Sequence, residues 1–133
     1  MTKDKPECVL LIDDDPGNNM ISKMFLKKIL PDADVLAFTD PQAGVAYILD
    51  NYTKEPVPTI LLLDINMPVL NGWEVLEILS EHADMIKQYI TIHILSSSID
   101  SFDKQKANSQ PLVTSFIEKP LKVETLRNIL LGQ

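Results

Sequence analysis

This chain of 133 residues is short of several things whose absence narrows its chemistry. It has one cysteine, Cys8, so no internal disulfide can form and no cysteine-based metal site can be assembled. Cys8 opens an apolar run, where a buried and inert thiol is the expected state. Positive charge is scarce: 12 Lys and Arg against 19 Asp and Glu leave a formal net charge of -7. That balance lacks the basic footprint of a nucleic-acid binder and opposes docking on anionic lipid, so neither nucleic acid nor membrane is an expected partner. No apolar run approaches the ~20 residues that span a bilayer. The polar stretch Met1 to Glu7 lacks the apolar centre of a signal peptide. The expected location is therefore cytoplasmic. Repeats, low-complexity tracts and linkers are also missing. With 45% apolar and 23% charged residues, the chain reads as one domain over residues 1–133.

What the chain does have is four short apolar runs, each leading to a chemically pointed residue. Val9 to Ile12 leads to Asp13-Asp14-Asp15, and Ile60 to Leu63 leads to Asp64. Ile90 to Leu95 leads to Ser96-Ser97-Ser98, and Val113 to Ile117 leads through Glu118 to Lys119-Pro120. Continuous apolar runs separated by helical stretches indicate parallel strands buried on both faces. The expected strands are 8–13, 34–38, 59–64, 90–95 and 113–118, and the expected helices 16–30, 41–51, 72–86, 100–108 and 121–131.

Local signals support these assignments. Asp15 and Asp40 stand before Pro16 and Pro41, a cap followed by a proline whose missing N–H costs nothing at a first helical position. Met20, Ile21, Met24, Phe25 and Ile29 suggest the core-facing side of the first helix, and Pro31 stops it. Val45, Ile48 and Leu49 are expected inside from the second helix, and Leu121, Val123, Leu126, Ile129 and Leu130 from the last. Five strands alternating with five helices predict an α/β fold: a doubly wound, five-stranded parallel sheet with helices on both faces. The flavodoxin-like order 2-1-3-4-5 follows by analogy with such folds rather than from the strand pattern itself.

In a parallel sheet every carboxyl end lies on one edge, where ligands bind in open α/β folds. Carboxylates, a hydroxyl and an ammonium therefore converge. Two carboxylates ~4 Å apart repel by ~4 kcal/mol at an effective dielectric of ~20, so Asp13, Asp14 and Asp64 together call for a cation. Oxygen donors in an open site suit Mg²⁺, and no Cys or His in these segments favours Zn²⁺. Asp15 is explained as a cap; two further acids on a buried strand end are not. In Asp64-Ile65-Asn66-Met67-Pro68, Pro68 stiffens the loop, and Gly72 permits unusual backbone geometry at the next helix start. A carboxylate so placed can attack phosphorus. Ser96 offers a hydroxyl, and Lys119 a mobile cation whose X-Pro bond is free to be cis.

Taken together, these residues resemble the receiver domain of two-component response regulators, particularly its small, chemotaxis-regulator-like members. The likeness runs over nearly the whole chain. It implies that Asp64 is the phosphoacceptor, with Asp13 and Asp14 the acidic pair, Asp14 being the direct Mg²⁺ ligand. Asn66 would lend its backbone carbonyl to the metal. Ser96 would be the switch hydroxyl, Lys119 the partner of the phosphoryl group and Phe116 the aromatic switch. It also implies a histidine kinase or histidine phosphotransfer protein as donor and an unknown downstream protein as target. The surface formed by the helix at 100–108, the strand at 113–118 and the helix at 121–131 would change. Such a protein is a signalling partner rather than an enzyme with a diffusing substrate.

Several features stand apart from that pattern. Asn51 to Thr59 is a long connection, and Asn108-Ser109-Gln110-Pro111 should shorten or redirect the region before the last strand. Asn66 and Ser98 occupy positions where the family tunes phosphoryl lifetime. His82 and His93 are far from any nucleophile and are expected to be solvated or satisfied, so this chain is not expected to be the phosphohistidine donor. Trp73 packs or makes a surface contact; Lys104-Gln105-Lys106 reads as a solvated helix face. Two other functions fit less well. Asp13-x-Asp15 resembles the nucleophile motif of haloacid-dehalogenase-type phosphatases, but no later acidic pair follows a strand. A pseudo-receiver that binds partners constitutively would not need the full set of acid, hydroxyl and lysine.

Overall fold

The apolar runs become five parallel strands: β1 (Cys8–Ile12), β2 (Asp34–Phe38), β3 (Thr59–Asp64), β4 (Ile90–Ser96) and β5 (Val113–Glu118). A computed structural model describes residues 6–52, 54, 56–97 and 101–131. The strands pair in the order β2-β1-β3-β4-β5, as expected. Among the described residues, six helices connect or follow them: α1 (Pro16–Ile29), α2 (Pro41–Tyr52), α3 (Gly72–Ser80), α4 (Ala83–Tyr89), α5 (Ser101–Ser109) and α6 (Val123–Leu131). Among the described residues, no helix is long and apolar enough to cross a membrane.

Alternation along the strands builds two cores. Leu10, Ile12, Leu61, Leu63, Ile92 and Ile94 meet Val45 and Ile48 of α2, Val75, Leu76 and Leu79 of α3, and Ile86 of α4. Val9, Leu11, Ile60, Leu62, Leu95 and Ile117 point the other way, against Leu26 of α1 and Leu126 and Leu130 of α6. Every residue of β1 and β3 is buried. At roughly 1.5–3 kcal/mol per buried aliphatic side chain, these central strands anchor the fold.

The apolar face expected for α1 is corrected. Met20, Ile21 and Met24 are 65%, 51% and 59% exposed. The inner stripe is instead Asn19, Ser22 and Leu26, with Phe25 and Ile29 packed partly against the core. The Asn19 amide donates to the main-chain oxygen of Asp13 at 2.9 Å, so a polar contact at the sheet edge sets the helix rotation. The single helix expected over 72–86 is two. His82 leaves helical geometry (φ -123, ψ 36), and its N–H closes the preceding turn on Leu79. The seven-residue step from Leu79 to Ile86, both buried, also suits a continuous helix, so the apolar period conceals the break. Elsewhere the shifts are small: β1 stops at Ile12, β4 reaches Ser96, α6 starts at Val123, and the start expected at residue 100 lies outside the described residues.

The helix starts are locally encoded. Asp15 accepts from the N–H groups of Gly17 and Asn18 ahead of α1. Asp40 accepts from the Gln42 N–H at 3.0 Å ahead of α2. Asn71 and Glu74 form a reciprocal capping box on α3. A β-bulge interrupts the outer pair. Ile92 faces Val113 but His93 faces Ser115, leaving Thr114 as an extra residue of β5.

Candidate functional site

The carboxyl ends of β1, β3 and β5 bring Asp13, Asp64 and Lys119 together. Asp13 and Asp64 are buried, 4% and 3% exposed. Asp14, next to Asp13, is not buried and lies on the open side of the group. Carboxylate oxygens of Asp13, Asp14 and Asp64 all lie within 4.8 Å of one another. Asp13 is held on three sides. Its N–H donates to Phe38 O at 3.1 Å, its Oδ1 accepts from the Asp15 N–H at 2.9 Å, and its carbonyl accepts from Asn19. The donor set is hard oxygen, which fits a divalent cation of the magnesium or manganese kind.

Lys119 Nζ lies 2.7 Å from Asp13 Oδ2 and 3.3 Å from Asp64 Oδ2. Its peptide bond to Pro120 is cis. Burial alone would lower the Lys119 pKa, but the hydrogen bond and charge of Asp13, with Asp64, outweigh it and hold the ammonium above the ordinary lysine range. Burial pushes the Asp64 carboxyl above the usual aspartate value. The Asn66 N–H and Lys119 pull it back in part, while Asp13 adds to the rise. One ammonium against three carboxylates leaves a net negative pocket, the condition that favours a bound cation.

Ser96 ends β4 and is fully buried. Asp64 pairs in register with Leu95, so Ser96 extends the adjacent strand by one residue. Strand alternation then separates the groups. Asp13, Asp64 and Lys119 continue the side of the sheet that carries Leu11, Leu62 and Ile117. Ser96 follows Ile94 on the opposite side, where Phe116, the register partner of Ile94, is partly buried. Asn66 spans the two sides. Its N–H donates to Asp64 Oδ1 at 3.0 Å, and its side-chain Nδ2 donates to Ser96 Oγ at 3.2 Å.

The loop geometry depends on Gly72. A Cβ there would lie 2.7 Å from Ile65 Cα and 2.8 Å from Asp64 O, both main-chain atoms. The start of α3 therefore presses on the chain just after Asp64, and the Gly72 N–H bonds to Ile65 O at 3.2 Å.

Other sequence candidates lie elsewhere. His93 is buried in β4 with Nδ1 2.6 Å from Ser115 Oγ, and His82 is exposed. Trp73 packs against the core edge of α3, and Lys106 Nζ lies over its ring at 5.2 Å, so Lys106 is more than a solvated charge. Burial pushes the Cys8 thiol up to about 11, in keeping with an inert side chain. Ser98 lies outside the described residues. The sequence reading passed over two contacts: that of the Asn19 amide, whose clue was a polar residue beside a helix's inner stripe, and that of the Asn66 side chain with Ser96, where Asn66 was read as a carbonyl ligand and a lifetime-tuning position.

Residues 9–131 match the family model of the response regulator receiver domain. The response regulator Rcp1 of Synechocystis sp. (strain ATCC 27184 / PCC 6803 / Kazusa) is 25% identical over 129 residues, 96% of this chain and 86% of that protein. A two-component response regulator from Cytophaga hutchinsonii superposes with a TM-score of 0.84 at 30% identity, covering 98% of this chain and 100% of that one. The phosphorylated cyanobacterial phytochrome response regulator RcpA superposes with a TM-score of 0.74 at 25% identity, covering 96% and 90%.

Proposed function

This chain belongs to the response regulator receiver domain family, and from that premise we propose that it is a phosphoacceptor switch over residues 1–133, located in the cytoplasm. Asp64 takes a phosphoryl group from a phosphohistidine on a histidine kinase or histidine phosphotransfer protein. Its carboxylate oxygen attacks phosphorus, the O–P bond forms as the P–N bond breaks, and the imidazole leaves with the electron pair. The carrying observation is the convergence of three carboxylates within 4.8 Å, two of which, Asp13 and Asp64, share the Lys119 ammonium. That a relative of 25% identity is known in phosphorylated form supports the same reading.

Asp13, Asp14, Asp64 and the Asn66 carbonyl are the groups that would hold Mg²⁺. Mg²⁺ supplies charge neutralisation for the incoming phosphoryl oxygens. Lys119 exchanges part of its pairing with Asp64 for a phosphoryl oxygen, and Ser96 donates its hydroxyl to another. Phe116 then repacks on the same side of the sheet as Ser96, altering the surface of α5, β5 and α6 toward a downstream protein. The donor approaches over α1, where Ile21 and Ser22 line a groove of about 400 Å³ that reaches Asp13 and Lys119.

Acetyl phosphate with Mg²⁺ is expected to add one phosphoryl group, read by intact mass. Asp64→Asn is expected to abolish it. Undiminished labelling of that variant would remove Asp64 from its role.

A further inference from the structure

Asn66 hydrogen-bonds both the carboxylate of Asp64 and the hydroxyl of Ser96. These two groups lie on opposite sides of the sheet at the ends of adjacent strands. Its N–H holds Asp64 Oδ1 at 3.0 Å and its amide reaches Ser96 Oγ at 3.2 Å, 30 positions along the chain. A hydroxyl has one proton and two acceptor lone pairs. Donation from Asn66 uses a lone pair and leaves the proton's role untouched. Accepting from Asn66 and donating to an oxygen held on Asp64 are therefore compatible. We propose that Asn66 is a positioning residue whose side-chain amide presents the Ser96 hydroxyl to the phosphoryl group on Asp64. The inference rests on the phosphoacceptor reading and adds to it a role for the side chain, distinct from that of the Asn66 carbonyl.

The polarity of the amide matters. Asn66→Ala removes the donor and keeps the main-chain N–H contact with Asp64. Asn66→Asp offers only acceptors, draws the Ser96 proton toward itself and places negative charge beside the phosphoryl oxygens. The probe is beryllofluoride with saturating Mg²⁺, titrated against the wild type, Asn66→Ala, Ser96→Ala, the double variant and Asn66→Asp. Mg²⁺ affinity is measured separately. Asn66→Ala should weaken beryllofluoride binding about fivefold, the worth of one ordinary hydrogen bond. In the Ser96→Ala background the same change should cost less than about twofold, because the two substitutions remove one interaction. Asn66→Asp should weaken binding more than about tenfold, since hydrogen bonds and repulsions involving a charge are stronger. Mg²⁺ affinity should stay unchanged in Asn66→Ala. Equal losses in both backgrounds, tighter binding by Asn66→Ala, or a parallel fall in Mg²⁺ affinity would each overturn the proposal while leaving the phosphoacceptor reading intact. A wild type that binds no beryllofluoride and is not labelled at Asp64 would overturn both.

Discussion

The two sides of the sheet's carboxyl edge are built differently. On the side facing α1 and α6, Asp13 and Asp64 are buried at the ends of strands that are buried throughout, and Lys119 ties them together at 2.7 and 3.3 Å. On the side facing α3, Ser96 is held by the 3.2 Å contact from Asn66, and Phe116 is only partly buried on an outer strand with a bulge. The helix next to it in sequence, α5, is mostly polar, and its Phe102 is 68% exposed. The charge-bearing side is thus clamped by several bonds within a well-packed centre. The Phe116 side is less fully packed and can repack at lower cost.

Breaking the stiff side should have the largest effect. Leu62 is fully buried two residues before Asp64, and Leu62→Ala should cost about 3 kcal/mol in urea unfolding. A loss below about 1 kcal/mol would show that the centre is not rigid. Gly72→Ala comes next, at about 2 kcal/mol, because its Cβ meets main-chain atoms that cannot turn aside.

Acid–base behaviour gives a sharper test of the charged side. Burial raises the Asp64 pKa, so between its unfolded value of 3.8 and its higher folded value the native state binds more protons than the unfolded chain. Metal-free stability attributable to Asp64 should therefore fall as pH rises through that window, and Asp64→Asn should remove this component. Carboxyl ¹³C NMR without metal should show Asp64 titrating above the ordinary range, and Mg²⁺ should move the midpoint down. Titration at or below 3.8 in the metal-free protein would contradict the burial argument. The smallest stability effect belongs to the Phe116 side. Phe116→Leu should cost under about 1.5 kcal/mol and leave Asp64 labelling by acetyl phosphate unchanged. A fall in labelling would mean that the two sides are not separable.

The strand pattern and the convergence of Asp13, Asp14, Asp64, Ser96 and Lys119 on one edge were legible in the chain, whereas the sheet order came by analogy with such folds. The two legible features follow from short apolar runs ending in a polar residue, and in a parallel sheet all such endings meet. Local capping was equally plain at Asp15 and Asp40, where a side chain acts on its own neighbours. The rotation of α1 was not legible. Periodicity ranks Met20, Ile21 and Met24 above Asn19 and Ser22 for the core, and only the bond from Asn19 to Asp13 across the sheet edge reverses that order. The break at His82 was hidden because two helices with buried residues seven apart imitate one. The Asn66 contact was hidden for a related reason, since a loop side chain's partner on another strand is a matter of register rather than composition.

The bulge at Thr114 also bears on what the chain can tolerate. Val113 and Phe116 pack on the same core although three positions separate them, a spacing that a regular strand would send to opposite faces. Thr114 takes up the difference, like an expansion joint in a rail. A chain lacking Thr114 would return Val113 and Phe116 to a two-residue step, with the ring still beside Ile94 and the ammonium still over Asp13. The stretch feeding β5 can thus change length by one residue without exchanging the aromatic side chain for the lysine.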